Sequence, residues 1–417
     1  MRRDIGWNLV PVLLLGLVGL GLNFVIGAWW DASALGNFNL VTIAVFAFAV
    51  LGAGGLQYAV LRALASETAR EGTDRTRAAA IVAGALVPGV ALAATVTAAF
   101  LLLRGPIGRW QSPAVAEGML WAAPGLFCFA VNKILLGVVN GLRRMRAFAV
   151  YTSVRYLLIA VGLGVARGAD LDGDQLPVIW TFTEGGLLLV LAIELLSTVE
   201  LRRAAGWGAW ARRHVAFGVR GVAAMLAVEV SSKLDVWVLG LAVSSGQVGV
   251  YSLAAAINDG ALQLAVALQN NVNPLLARDL AAGDRDGVRH LVGRTRRWFV
   301  PAFVAACAAG ALLYPFAIPW LIGDDGYARG AWPFAIMISG AALASPYLPF
   351  THVLLMAAQP GWHTVYVLGI LAVNLGTALV LVPLWGLEGA AVATAASLVA
   401  SAALVRLLAR RRVGLRI

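Results

Sequence analysis

Apolar stretches of membrane-crossing length follow one another through this chain with little between them. A hydrocarbon core of about 30 Å takes about 20 apolar residues as a helix. About twelve such stretches can be marked, near residues 5–29, 37–64, 78–103, 116–140, 147–166, 176–199, 217–243, 247–276, 298–321, 331–356, 363–384 and 388–408. The chain is 60% hydrophobic and 13% charged, against about 25% charged in soluble domains. The fold class expected is an all-α polytopic membrane protein.

The net charge of +11 invites a nucleic-acid partner, but its distribution argues against one. With the N-terminus in the cytoplasm, the cytoplasmic segments hold Arg2–Arg3, Arg62 to Arg77, Arg143 to Arg146, Arg202 to Arg220, Arg278 to Arg297 and Arg406 to Arg416. That is about 25 of the 32 basic residues. The outward loops hold Arg104, Arg109, Arg167 and Arg329. This is the positive-inside asymmetry, and it places both termini in the cytoplasm. The basic balance then serves topology and contact with anionic membrane lipids. Arg2–Arg3, an apolar run and Ala32-Ser33-Ala34 imitate a signal peptide. The run is longer than an h-region, so it is expected to stay as a span. Cys128 and Cys307 lie in different spans and read as packing residues.

The basic loop after the sixth span divides the chain. The organisation expected is an N-terminal six-helix lobe over 1–199, a cytoplasmic inter-lobe loop over 200–216, a C-terminal six-helix lobe over 217–409 and a basic tail over 410–417. The halves are weakly alike. Laying Leu35-Gly36-Asn37-Phe38-Asn39 over Val248-Gly249-Val250-Tyr251-Ser252 also puts Gln57 over Asn270. An even number of spans per half gives both copies one orientation, the parallel-repeat plan with a substrate path near the midplane.

Charges inside the spans are the chemical signal, because each costs roughly 2.5–3.5 kcal/mol at mid-bilayer on insertion scales. The two lysines of the chain, Lys133 and Lys233, lie within apolar runs, as do Arg155, Glu184, Glu194, Glu229, Asp235 and Asp259. In the eighth span Ser252, Asp259, Gln263 and Asn270 recur at seven-, four- and seven-residue steps, within a narrow sector of one helix face. They line a cavity or form a hydrogen-bonded seam between helices. Glu229 and Lys233 are one turn apart with the acid first, the favourable order for a helix ion pair. The pair is either structural or breakable, and Asp235 reads as the freer carboxylate. Lys133 shares a face with Gly137 and Asn140. Lys133 and Arg155 either snorkel toward the nearer surface or make that half of the lobe attractive to phosphate. Tyr151 could hold Arg155, and Glu184 and Glu194 could neutralise the cations instead.

Other chemistry is missing from the pattern. There is no P-loop, Leu51-Gly52-Ala53-Gly54-Gly55-Leu56 fails the dinucleotide fingerprint at Gln57, and His214, His290, His352 and His363 lack metal-ligand spacing. No cofactor, metal or enzymatic nucleophile is expected.

Asp4-Ile5-Gly6-Trp7-Asn8 and Ala34-Leu35-Gly36-Asn37-Phe38-Asn39 resemble the start of bacterial polysaccharide-export proteins of the Wzx type. Ser232-Lys233-Leu234-Asp235, Val248-Gly249-Val250-Tyr251-Ser252 and Asn273-Pro274-Leu275-Leu276-Ala277-Arg278 extend that resemblance. They also resemble the wider multidrug, oligosaccharidyl-lipid and polysaccharide (MOP) exporter superfamily. The resemblance implies two six-helix bundles in a V, with spans one, two, seven and eight lining the cavity. It implies a plasma-membrane flippase for a polyprenyl-pyrophosphate-linked oligosaccharide, driven by an ion or proton gradient. On that reading Lys133, Arg155 and Lys233 attract the pyrophosphate. Asn23, Asn39, Gln57, Asn140, Ser252, Gln263 and Asn270 line the cavity. Asp235, Asp259, Glu229 and Glu184 are the ion-coupling candidates. The partners implied are the lipid-linked oligosaccharide, membrane lipids, a glycan polymerase and glycosyltransferases, with the chain itself a monomer. One departure matters: drug exporters of the superfamily place an acid inside span one, where this chain has Asn8 and Asn23 between Asp4 and Asp31. A cation-coupled drug or metabolite exporter of the same fold is the main alternative, and a non-transporting scaffold for a glycan synthase is another.

Overall fold

The computed structural model describes residues 18–68, 75–231 and 233–415. Asp4 to Asn8, Pro11, Gly16 and Ser232 lie outside them. Every regular element among the described residues is helical. The first elements are α1 (Val18–Trp29), α2 (Ala32–Ala53), α3 (Leu56–Thr68), α4 (Arg75–Trp110) and α5 (Pro113–Gly141). Next come α6 (Met145–Gly168), α7 (Val178–Thr198), α8 (Trp207–Ser231), α9 (Leu234–Gly240) and α10 (Ser245–Ala281). The chain ends with α11 (Arg285–Ile322), α12 (Ala331–Ala344), α13 (Val353–Met356), α14 (Pro360–Trp385) and α15 (Leu387–Leu408).

Among the described residues nine helices are long and apolar enough to cross a membrane, and one pair bent by 59° makes ten. This is a multi-pass membrane protein. Of the twelve stretches read from the sequence, the remaining two are the first, described from Val18 onward, and the seventh, which is divided. There α8 stops at Ser231 and α9 begins at Leu234. Lys233, a charged residue in mid-run, lies at this break. The second stretch is also divided, between α2 and α3, where Gly54 and Gly55 take φ of 54° and 74°, open to residues without a side chain. The bent pair turns at Ser345-Pro346, because proline lacks the N–H that would continue the helix.

Two compact units result. One comprises Asn37–Lys233 with the segment ending at Leu22, and the other Asn23–Gly36 with Leu234–Ile417. The core of the first includes Val60, Leu64, Ile81, Val82, Ile134 and Leu187, each fully buried. That of the second includes Leu276, Phe350, Val353, Leu354 and Val405. The stretch read as an inter-lobe loop, 200–216, holds the 3-10 turn Leu201–Arg203 and the opening turns of α8. These turns dock on α4 within the first unit. His214 Nε2 lies 3.2 Å from the Ile81 carbonyl, and a Cβ on Gly84 would sit 2.6 Å from Trp210 Cβ.

Within the second unit the start of α2 crosses α10 in backbone contact. A Cβ on Gly36 would meet the Ser245 carbonyl oxygen, and a Cβ on Gly249 would meet that of Ala32. The contact is reciprocal: Ala32 corresponds to Ser245, and Gly36 to Gly249, at the offset the sequence alignment of the halves gave. The two copies meet at equivalent positions, as a two-fold pseudo-repeat requires.

Candidate functional site

In the first unit the charges gather where α5, α6 and α7 pack. Pro124 cannot donate to the α5 ladder, and just beyond it the Thr181 hydroxyl enters that ladder. Gly125 N–H donates to Thr181 Oγ1 at 3.1 Å, and Thr181 Oγ1 donates to the Trp121 carbonyl at 2.6 Å. Gly125 has no side chain to hold α7 away; a Cβ there would sit 2.5 Å from Trp180 and Thr181 backbone atoms. This splice fixes the register of α7, and Glu184 follows one turn on.

Glu184 is fully buried. Arg155 of α6 grips it with two nitrogens, Nε to Oε1 at 2.8 Å and an Nη to Oε2 at 3.2 Å. Asn132 Nδ2 donates to both Oε2 and the backbone carbonyl of Glu184, each at 2.8 Å. Glu194, the other candidate neutraliser, is taken by Arg144 and by the Tyr151 hydroxyl at 2.8 Å. Tyr151 therefore holds Glu194 and not Arg155.

Lys133 is different. Its ammonium lies 4.9 Å from the centre of the Phe129 ring, and the Arg155 guanidinium lies 4.8 Å from the same centre. Among the described residues Lys133 forms no ion pair or hydrogen bond. Glu229, Arg155 and Glu184 are the charges whose fields reach it. Phe129 is one turn back along α5, away from the Gly141 end, so the ammonium is turned opposite to the snorkelling direction. The ring is itself fixed: Phe46 meets it edge-on at 5.3 Å, and Trp180 meets Phe46 at 5.1 Å. A cation over an aromatic face gains about 0.5–2 kcal/mol, more when desolvated, and keeps its donors available.

The remaining candidates are dispersed. Lys233 lies half-buried at the junction of α8 and α9, so it and Glu229 do not share one continuous helix. Gln57 and Asn140, with Asn39, are half-buried in the first unit, and Asn23 is half-buried in the second. Gln57 Nε2 reaches Met225 Sδ at 3.7 Å. Along α10 the polar stripe runs from buried Ser252 through half-buried Asp259 to exposed Gln263 and Asn270. The inward side of that helix carries Asn258, Ala265, Gln269 and Val272 instead.

Asp235, which the sequence suggested was free, is buried and held. The Tyr251 hydroxyl donates to Oδ2 at 2.5 Å and the Thr394 hydroxyl at 3.0 Å. Sequence reasoning missed Phe129, Asn132, Tyr251 and Thr394. An aromatic four residues before Lys133 was a visible signal for the first; the others depend on packing between distant helices.

No family model matches the chain, and no curated protein matches it. Solved structures do. A multidrug resistance MATE family transporter of the MOP superfamily, in an inward-facing conformation, aligns over 99% of this chain and 98% of its own at 14% identity, TM-score 0.80. The lipid II flippase MurJ, in an inward closed conformation, aligns over 97% and 87% at 10% identity, TM-score 0.75. A MOP superfamily transporter from Pyrococcus furiosus aligns over 99% and 95% at 14% identity, TM-score 0.64. The chain shares the fold of these three structures. In that fold the cationic pair on Phe129 belongs to the first unit and the Asp235 cluster to the second.

Proposed function

We propose that this protein is a flippase. It moves a polyprenyl-pyrophosphate-linked oligosaccharide from the inner to the outer leaflet of a bacterial plasma membrane by alternating access. The observation that carries the reading is Lys133, an ammonium inside a membrane-embedded bundle that is held over Phe129 and bound to no described carboxylate. Such a charge suits an anionic ligand and repels a cationic drug. Arg155 is the second cation within reach, and its grip on Glu184 lets it exchange partners without being left unpaired. Lys233 is the third candidate. The basic segments face the cytoplasm on this reading, with both termini there, and a glycan polymerase and glycosyltransferases are the partners. Asp235, bound to two hydroxyls, is the first carboxylate to test for ion coupling, and Asp259 the second.

A cation-coupled drug or metabolite exporter is the second reading, favoured by the buried Asp235 and the MATE-like fold. Proteoliposomes holding the full chain separate the two. The flippase reading expects leaflet exchange of a polyprenyl-pyrophosphate disaccharide and no gradient-driven efflux of a cationic dye. Dye efflux without lipid exchange supports the exporter and removes the flippase.

A further inference from the structure

The second unit contains a cavity of about 800 Å³ that none of the chemistry above uses. Its polar lining comes from four places in the fold. The N-cap and first turn of α10 give Ser244 and Gln247, the segment after α11 gives Asp324 and Arg329, α12 gives Trp332, and the first turn of α15 gives Glu388. The rest of the wall is mostly alanine and glycine, which keeps the space open. With the basic segments in the cytoplasm, this cavity opens on the outer side of the membrane.

The lining selects a class of ligand by elimination. The volume is far too large for a bare ion, and no group of three metal-ligating side chains exists among the described residues. It falls within the about 300–1,000 Å³ of small-molecule sites. Two carboxylates, Asp324 and Glu388, oppose a phosphate, and Arg329 opposes a simple cation. A neutral ligand with many hydroxyls satisfies both signs. It donates to carboxylates, accepts from a guanidinium and an amide, and lays its C–H face on an indole. One acceptor and one donor are already oriented. Asp324 is fixed by the Gly326 N–H at 2.7 Å, and Gln247 Oε1 caps Ser244, leaving its amide nitrogen outside that cap. Trp332 is 73% exposed, so its face is available.

We infer that this cavity is a glycan-binding subsite for one or two neutral sugar rings, engaged after the saccharide reaches the outer side. The inference rests on the flippase reading for its biological role, though not for the binding itself. The test uses the full chain in nanodiscs and saturation-transfer NMR with free galactose, N-acetylglucosamine, maltose and chitobiose. At least one of these is expected to bind at millimolar concentration. Trp332→Ala and Glu388→Gln are each expected to weaken it about tenfold, and Ala335→Trp, which fills the space, to remove it. Glu388→Gln changes no volume and decides the matter if Ala335→Trp fails to insert. Absence of binding by the whole panel overturns the subsite, as does binding that all three variants leave unchanged; Trp332 is then only an interfacial anchor. Sugar binding by a chain that exchanges no pyrophosphate-linked lipid keeps the subsite and removes the flippase. Lipid exchange without sugar binding does the reverse.

Discussion

Glu184→Leu is expected to destabilise the first unit by about 3–5 kcal/mol, the loss seen when one partner of a buried pair is removed. Arg155 would keep its charge in a site where its side chain is 15% exposed, having lost both its ion-pair contact and its hydrogen bond to Glu184. Asn132 would lose its carboxylate acceptor as well. The double variant Arg155→Met/Glu184→Leu should recover most of the loss, because a well-packed apolar pair of similar volume is often neutral against an ion pair. Thermal unfolding in detergent measures both. A single variant as stable as the parent would show that the pair is solvated and that burial has been misjudged. The same energetics explain why Arg155 can meet a phosphate only by exchange, whereas Lys133 sits over the Phe129 ring with no described carboxylate to leave.

The second large effect is expected at Gly249. A Cβ there falls on the Ala32 carbonyl oxygen, 2.8 Å from the Ala32 carbonyl carbon and 3.1 Å from Gly36 N. All three are backbone, so no side chain can turn aside; α2 and α10 must separate. Forced overpacking costs about 1–3 kcal/mol in ordinary cores, and here it also displaces a crossing made at equivalent positions of two repeats. Ser33 Oγ lies 3.3 Å from the position of a Cβ on Gly246, so a sulfur at position 33 would lie close to one carried on that Cβ. A chain with Ser33→Cys and Gly246→Cys, and with Cys128 and Cys307 replaced by serine, should cross-link readily under mild oxidation. Adding Gly249→Ala should abolish the cross-link. Undiminished cross-linking would mean the helices are not in backbone contact.

Much of this could be read in the residues, for reasons that differ from place to place. Hydrophobic length marks spans well because the bilayer imposes it, so the helical stretches and the offset between halves were visible. Breaks inside a stretch were harder: Gly54-Gly55 and Ser231 to Lys233 sit within continuous apolar runs, where hydropathy is blind to backbone geometry. Lys133 and Arg155 stood out singly by their cost in hydrocarbon. That they share the Phe129 ring, and that Glu184 claims Arg155 and leaves Lys133, depends on how α7 registers against α5, and a hydroxyl spliced in after Pro124 decides that. Asp235 looked free because its partners, Tyr251 and Thr394, are carried by α10 and α15, out of reach of any argument confined to one helix. The cavity around Trp332 was invisible for the same reason: its lining comes from segments far apart in the chain, each unremarkable alone.

The account turns on Lys133 as an ammonium held ready for a diphosphate. Equilibrium binding of polyprenyl pyrophosphate to the purified full chain, with the uncharged polyprenol as control, tests it most directly. Lys133→Gln is expected to weaken pyrophosphate binding by about tenfold to a hundredfold, the worth of a charge-assisted hydrogen bond. It should leave polyprenol binding and thermal stability unchanged, and Lys133→Arg should retain most of the affinity. Pyrophosphate binding that Lys133→Gln leaves at the parent's strength would contradict the account.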